Sequence, residues 1–189
     1  MHGEVQRGGS GIDVAASVFG GVLSYQLSSN SGADPTVTPI SLPAGLELRV
    51  YAIPTSARTS EFLTQVSHLK TRDAKLYSAR IRALATAATE AVAAAKNDDV
   101  GRFCAHCRAF GVALEGLGKA SGAKIVLPEV SALAELVPHE EGAFYPAGAG
   151  GGDIAVYVGR NAPSEAFLAL AEAFGEVDRE LSQGGLPAA

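Results

Sequence analysis

The stretch from residue 146 to residue 158, Pro-Ala-Gly-Ala-Gly-Gly-Gly-Asp-Ile-Ala-Val-Tyr-Val, decides the fold of this chain. Four of its residues 148–152 are glycines, which allow a positive φ and a close approach of neighbouring backbone because they carry no Cβ. Consecutive backbone N–H groups in such a turn can form a concave anion site. The β-branched and aromatic residues 154–158 predict a buried strand that supports this glycine loop, residues 146–153.

A second glycine stretch lies near the other end of the chain, at residues 8–16, Gly-Gly-Ser-Gly-Ile-Asp-Val-Ala-Ala. Ser10 is a good N-cap residue, and Asp13 would then lie in the first turn of a short helix, at its positive end. Asp13 could be functional, or it could simply offset the helix dipole. Either glycine stretch alone is weak evidence, because short motifs match by chance and most glycine turns are only turns.

Composition limits the classes of function. The chain has 189 residues, 47% hydrophobic and 19% charged, which indicates a globular protein of one domain or two small ones. The net charge of −5 and the lack of a Lys/Arg run argue against nucleic acid or an anionic membrane as the main partner. No apolar run approaches the ~20 residues of a membrane span, and no signal pattern opens the chain, so we expect a cytoplasmic protein.

The cysteines form a Cys104-Ala-His106-Cys107 cluster, a pattern that also occurs in metal and redox sites. Cys107, however, lies on an apolar stripe with helical spacing that predicts a core-facing position. The stripe consists of Val100, Phe103, Cys107, Phe110, Leu114 and Leu117. The sequence offers no second ligand pair. We therefore expect a reduced, metal-free pair, with Cys107 packed as a small buried hydrophobe.

The first seventy residues predict short elements. We expect a helix at 13–18, strands at 22–27 and 48–53, and a helix capped by Thr59. A polar loop separates the two strands.

Beyond residue 70 the pattern becomes mainly helical. One apolar stripe predicts the first long helix and consists of Tyr77, Ile81, Leu84, Ala88, Ala91 and Ala95. The glycines of 116–122 resemble a phosphate loop, but they end a helix instead of opening one, which favours a C-cap. We expect a strand at 125–127, a helix from Pro128 and a last helix after Pro163. That last helix would bury Phe167, Leu170, Phe174, Val177 and Leu181.

Taken together and in this order, the two glycine stretches resemble the GHMP kinases, and among these the phosphomevalonate kinases most. The resemblance lies in GSGIDVA at 9–15, with His2 and Gln6 before it, in RTSEFL at 58–63, in residues 122–133, and in GAGGGD at 148–153. It covers nearly the whole chain. It implies an α+β fold in which residues 1–70 are part of the N-terminal, catalytic-Asp domain. Residues 71–189 would form the C-terminal domain, a ferredoxin-like α/β sandwich.

The resemblance also implies roles for individual residues. Asp13 would orient or deprotonate the acceptor oxygen, and the residues expected to bind substrate are Ser10, Gly11, Ala147 and Gly148. The residues expected to contact the cofactor are Gly148, Ala149, Gly150, Gly151, Gly152 and Asp153. ATP and Mg²⁺ would be the cofactors, and the substrate a small phosphorylated or hydroxy-acid molecule. Asp13 and the glycine loop would face each other across a cleft.

Two features depart from the pattern of the family. The family usually has Lys-Pro-Ser before its glycine loop, whereas this chain has Tyr145-Pro146-Ala147, without the cation and hydroxyl that would recognise a substrate phosphate. The N-terminal loop that wraps the ATP phosphates has no counterpart here. We therefore expect a C-terminal portion of such a kinase that depends on a partner chain or self-associates. The alternative is a non-catalytic binding module that retains the fold.

Overall fold

The computed structural model describes residues 11–28, 33–56, 58–138 and 142–177. The chain forms two compact units, and each is described by itself. The first unit comprises Met1–Leu42 with Arg179–Ala189, and the second comprises Pro43–Asp178.

The described part of the first unit holds one helix and two strands. Helix α1 is Ile12–Phe19, and strands β1, Val22–Gln26, and β2, Thr36–Ile40, pair antiparallel with Val22 opposite Ile40. Gly20 and Gly21 both have positive φ, which lets the chain turn sharply from α1 into β1. The predicted helix and first strand are confirmed. β2 was not predicted, because Thr-Val-Thr-Pro-Ile is mostly polar and contains a proline, which is confined to edge positions of sheets.

The second unit is built on a four-stranded antiparallel sheet. Its strands are β3, Glu47–Ile53; β4, Gly142–Pro146; β5, Asp153–Gly159; and β6, Gly175–Val177. They are ordered β4-β5-β3-β6, so that β3 pairs with a neighbour on each side. The glycine loop joins β4 to β5, as the sequence predicts.

Five helices complete the second unit. They are α2, Thr59–Arg72; α3, Ala74–Lys96; α4, Val100–Ser121; α5, Pro128–Glu135; and α6, Glu165–Ala171. The carboxylates of Asp73 and Asp99 cap α3 and α4, accepting the N–H groups of Leu76 and Arg102 at 2.9 Å each.

Helices cover both faces of the sheet because its side chains alternate. On one face Phe144, Tyr51 and Phe167 stack edge to face with ring centroids 5.2–5.8 Å apart, over the buried Val130 and Leu133 of α5. On the other face the core consists of Ala143, Val158 and Cys107, with Leu48 and Phe103 beside them. A third cluster joins α2, α3 and α4. The predicted α+β class is confirmed.

Several expectations about elements are wrong. Residues 125–127 form no strand in the described structure; Val126 lies in a bend, and Leu127 is the N-cap of α5. The last helix ends at Ala171, Val177 lies in β6, and Leu170 is half exposed, while Leu181 lies outside the described residues. On α3, Ile81 and Ala88 are exposed, and Ala87 and Ala94 are buried instead. Thr59 is the first residue of α2 and not its cap, a position that Arg58 takes without a side-chain bond.

The compact units divide at residues 42 and 43, whereas the predicted boundary between 70 and 71 falls inside α2. β3 lies within the first seventy residues, but it is an inner strand of the second unit's sheet. The descent of residues 1–70 and 71–189 from two kinase domains stays a prediction.

Candidate functional site

The start of α1 carries the first predicted site residues. Gly11 is the N-cap and has φ +79°, and its carbonyl accepts the N–H of Ala15 at 3.0 Å. Asp13 lies in the first turn with an exposed side chain, and the Ser17 hydroxyl donates to its carbonyl at 2.9 Å. The prediction of Ser10 as the N-cap is wrong, because the N-cap position falls on Gly11 and no side chain caps the helix. Ser10 itself lies outside the described residues.

This arrangement places a solvent-facing carboxylate in the first turn of a helix, beside the backbone N–H groups of its N-terminus. Such N–H groups favour an anion, and a carboxylate beside them can accept a hydrogen bond from an acceptor hydroxyl. A first-turn aspartate also offsets the helix dipole whether or not a substrate binds, by ~0.3–1 kcal/mol. The geometry of α1 is compatible with both roles for Asp13.

The glycine loop has the backbone conformation that its composition predicts. Gly148, Gly150 and Gly151 have φ between +69° and +75°, and Gly152 has φ +141°. Asp153 also has a positive φ, +60°, in the left-handed region that Asp tolerates better than most residues.

Two backbone N–H groups of the loop donate to carbonyls of segments that are distant in sequence. Gly151 donates to the carbonyl of Ile125, and Asp153 donates to the carbonyl of Thr55, both at 2.7 Å. Since each of these two N–H groups donates to a protein carbonyl, neither is available to bind an anion. These bonds hold the loop to the segment before α5 and to the end of β3.

Close packing fixes the inner half of the glycine loop. A Cβ at Gly150 would overlap the carbonyl oxygen of Ile125, and one at Gly151 would overlap the Phe62 ring of α2. Gly150, Gly151 and Gly152 are buried, whereas Gly148 and Ala149 are exposed. The loop therefore has an inner half that holds the fold together and an outer half open to a ligand.

Sequence reasoning missed the residues that support the loop: Thr55, Phe62 and Ile125. Phe62 and Ile125 lie in segments that carry the resemblance, but all three residues are distant from the loop in sequence, so nothing local indicates that they contact it. Only the run of glycines could have indicated that some other backbone approaches closely there.

The residue in the position of the family's lysine has a structural role. The ring of Tyr145 packs edge to face on Phe110 of α4, with centroids 5.9 Å apart. Burial raises the pKa of the Tyr145 phenol well above its usual value, and the neighbouring Cys107 raises it further. Tyr145 thus belongs to the packing between β4 and α4.

The two cysteines of α4, Cys104 and Cys107, are also buried. Both are free, and Cys107 lies on the α4 stripe as predicted. Burial raises the pKa of the Cys107 thiol to about 12, while a hydrogen bond with Tyr145 lowers it by less. Burial also raises the pKa of Cys104. Across the described residues, no three His, Cys, Asp or Glu side chains gather in a way that could hold a metal ion.

The residues 116–122 form a helix end and not a phosphate cradle. α4 runs through Ser121, and Gly122 closes it in the left-handed conformation at φ +80° with its N–H on the carbonyl of Gly118. The C-cap prediction is confirmed.

One curated protein is similar to this chain in sequence. The chain is 27% identical over 171 residues to a phosphomevalonate kinase from Streptomyces sp. (strain CL190), a match covering 81% of this chain and 46% of the relative. No family model matches the chain.

Solved structures extend the likeness to the fold. A Lin0012 protein from Listeria innocua superposes with a TM-score of 0.84 at 19% identity, over 94% of this chain and 56% of its own. The L. major mevalonate kinase, solved with R-mevalonate, gives a TM-score of 0.64 at 16% identity, over 87% of this chain and 47% of its own. The chain has the fold of the GHMP kinases.

A phosphomevalonate kinase from Streptococcus pneumoniae, solved with phosphomevalonate and AMPPNP, also superposes. Its TM-score is 0.61 at 17% identity, over 79% of this chain and 44% of its own. The predicted resemblance is thus confirmed. The chain spans about half the length of the curated relative and of these structures. Within the described residues, no helix has the length and apolar character needed to cross a membrane.

Proposed function

We propose that this chain is the acceptor-side part of a GHMP-type small-molecule kinase that transfers a phosphoryl group from ATP to phosphomevalonate or a similar acceptor. The observation that carries the proposal is the sequence match to a phosphomevalonate kinase over 81% of the chain. The fold shared with mevalonate and phosphomevalonate kinases supports it.

Asp13 is the proposed catalytic residue. Phosphoryl transfer needs positioning and charge stabilisation more than covalent chemistry, and a carboxylate can orient the acceptor hydroxyl and take its proton. The exposed position of Asp13 in the first turn of α1 leaves it accessible to an acceptor. Gly11 and the N-terminus of α1, with Ser10, would hold an anionic group of the acceptor.

The glycine loop would serve the same reaction from the second unit. Gly148 and Ala149 are exposed and can approach a bound ligand, together with Ala147. The inner residues 150–152 and Asp153 would act through the shape of the loop, since Gly150 packs on the segment before α5, Gly151 packs on α2, and Asp153 donates its N–H to Thr55. ATP and Mg²⁺ require in addition a cradle of backbone N–H groups around the phosphates. We propose that a complementary part of the fold supplies that cradle.

The test is a turnover assay with phosphomevalonate and with mevalonate, each with Mg–ATP. We expect no turnover from the chain alone. We expect turnover when the part of the Streptomyces enzyme outside the match is added. Asp13→Asn should then lower kcat by about 10²–10⁴-fold, as expected for loss of a general base. Asp34→Asn, an exposed aspartate of the same unit, is the matched control and should keep full activity. Unchanged turnover in Asp13→Asn would overturn the proposed role.

A non-catalytic binding module is the second candidate. It is favoured by Tyr145-Pro146-Ala147, where the residue in place of the lysine packs against α4. A module of this kind would bind phosphomevalonate, detectable as chemical-shift changes at Gly11 and Gly148, yet give no turnover in any combination.

A further inference from the structure

Strand β4 lies at one edge of the second unit's sheet, where the described residues pair it with β5 alone. Its hydrogen-bonding pattern follows from one bond at its end, in which Ala147 donates its N–H to the carbonyl of Ile154 at 2.9 Å. Hydrogen-bonded and non-hydrogen-bonded residues alternate along an antiparallel pair. With this register, Gly142, Phe144 and Pro146 direct their backbone groups away from β5, toward the outer side of the strand.

The outward backbone groups of Gly142 have partners inside the protein, and those of Phe144 do not. The N–H of Gly142 donates to the carbonyl of Pro138 at 3.3 Å, and its carbonyl accepts from the guanidinium of Arg108. The N–H and carbonyl of Phe144 point the same way, and the part of the chain that the structure describes offers neither of them a partner. Phe144 is nevertheless only 4% exposed. Buried backbone groups are almost always paired, so this donor and this acceptor require an explanation.

A groove of about 180 Å³ lies beside Phe144, between helices α4 and α5. Val112 of α4, Ala134 of α5 and Val126 give it apolar walls. A Cβ at Gly111 of α4 would lie 3.9 Å from the carbonyl oxygen of Phe144. The missing side chain of Gly111 therefore leaves space in front of this carbonyl.

The size of the groove and its unpaired backbone groups indicate what fits there. Its volume is slightly larger than that of a cavity of about 150 Å³ that holds a benzene-sized molecule, which is room for one apolar side chain. One N–H and one carbonyl on the same strand residue match the carbonyl and N–H of one residue in an extended peptide. The side chain of that peptide residue would lie on the same face as Phe144.

Charged residues in the lining of the groove add a preference for the neighbouring peptide residue. Glu115 and Glu135 both line the groove, and Glu115 pairs with Lys119 at 2.8 Å. Arg108 lines it too, but this guanidinium already donates to backbone carbonyls. The carboxylate of Glu135 therefore favours a basic side chain next to the apolar one.

We propose that the edge of β4 at Phe144 binds an extended peptide segment of another protein. The segment pairs with the backbone of Phe144, inserts one apolar side chain into the groove between α4 and α5, and places a basic residue near Glu135. The inference does not rest on the proposed kinase activity, since all of these residues belong to the second unit and none is a proposed substrate or cofactor contact.

The probe is the peptide acetyl-Val-Leu-Lys-amide, titrated into the isotope-labelled full chain and followed by NMR. We expect saturable binding with a millimolar dissociation constant, because so small a ligand buries little surface. The shift changes should centre on the amides of Phe144 and Gly111. The matched probe carries an N-methyl group on the leucine nitrogen, which removes the donor for the Phe144 carbonyl. It should bind about fivefold more weakly, since it loses one hydrogen bond.

A substitution in the groove tests the same site from the side of the protein. Ala134→Leu fills the space that the peptide side chain would occupy, and it should weaken binding by about tenfold or more. Ala132→Leu is the matched control, at an exposed position of the same helix that does not line this groove. Its affinity should stay within about twofold, because a side chain outside the interface contributes little. If Ala134→Leu does not fold, the N-methyl comparison on the original chain still decides.

Five outcomes would overturn the proposal. The first three are no saturable binding of the peptide, equal affinity of the N-methylated peptide, and equal weakening by the two leucine variants. The fourth is a set of shift changes centred away from Phe144. The fifth is a stable dimer of this chain that pairs β4 with its copy and excludes the peptide, which would make a second copy the occupant of this edge.

Discussion

Gly150 shows how a single residue of the glycine loop contributes to the fold. Its φ of +75° disfavours any side chain, and a Cβ there would overlap the Ile125 carbonyl. Gly148 has a similar φ of +69°, but no atom lies within 4 Å of its Cβ position. Gly148→Ala should therefore cost only the left-handed strain, about 1–2 kcal/mol. Gly150→Ala should cost about 1–3 kcal/mol more, because the backbone must move.

Urea unfolding measures both variants, followed by tyrosine fluorescence, since the chain has five tyrosines and no tryptophan. Equal stabilities of the two alanine variants would show that the loop is not held against the segment before α5.

The buried thiol of Cys107 predicts a pH dependence of stability. Its pKa rises from 9.0 in an exposed chain to about 12 in the folded protein. Between these values the unfolded chain loses the proton and the folded protein keeps it, so the free energy of unfolding falls as pH rises. The contribution is complete below pH 9 and lost at about pH 12. The Tyr145 phenol acts in the same direction.

Cys107→Ala should make the loss of stability above pH 9 less steep, and it should leave the pH dependence below 8 unchanged. Unfolding curves at a series of pH values test this. A variant with the same slope as the original protein above pH 9 would show that the thiol titrates normally.

At this scale the sequence predicted local positions along the chain better than contacts between distant residues. Asp13 lies in the first turn of α1 as expected, because first-turn preferences are local, although the N-cap is Gly11 and not Ser10. The packing of Gly151 on Phe62 could not be predicted, because the two residues lie far apart in sequence.

Among the elements, Arg108 of α4 joins three segments of the second unit. One of its guanidinium N–H₂ groups donates to the carbonyls of Val137 at 2.7 Å, Pro138 at 2.9 Å, and Gly142. The carbonyls of Val137 and Pro138 follow α5, and Gly142 is the first residue of β4. The Arg108 side chain therefore connects α4 to both elements.

Arg108→Met keeps most of the apolar stem and removes these bonds. It should destabilise the protein by about 1.5–3 kcal/mol, the usual range for hydrogen bonds to a charged group. Arg102→Met, on the exposed side of the same helix, should change stability by less than about 0.5 kcal/mol. Chemical denaturation compares the two. Similar losses in both variants would contradict the role of Arg108.

The sequence predicted the helices and strands that have a strong periodic apolar pattern. It did not predict those whose conformation depends on pairing with distant parts of the chain. α1, β1 and β5 follow from local apolar patterns. The last helix was extended too far, because Phe174 and Val177 continue a helical spacing although the chain turns into β6 there. β6 has three residues, and its pairing with β3 over Val50–Ala52 is a tertiary contact that no local pattern specifies.

For the whole molecule, the placement of β3 decides where the chain divides. The sequence predicted the strand itself but assigned it to the first of the two predicted domains, residues 1–70. β3 instead pairs with β5 and β6, more than a hundred residues later. Tertiary packing decides which strands become neighbours in a sheet. The existence of β3 could therefore be predicted from the sequence, whereas its pairing with β5 and β6 could not.

The division predicts that the second unit folds without the first. All three hydrophobic clusters consist of residues beyond 43, and the four-stranded sheet is complete within 47–177. In the described part of the first unit, Ala15 is the only apolar residue that is buried.

A fragment of residues 43–178 should therefore show the circular dichroism of its helices and a cooperative urea transition with a midpoint close to that of the full chain. Residues 1–42 alone should show neither, because one short helix and one hairpin bury too little apolar surface to offset their conformational entropy. A 43–178 fragment that is molten, with exposed apolar surface binding a reporter dye and no cooperative transition, would show that the first unit is required for the second to fold.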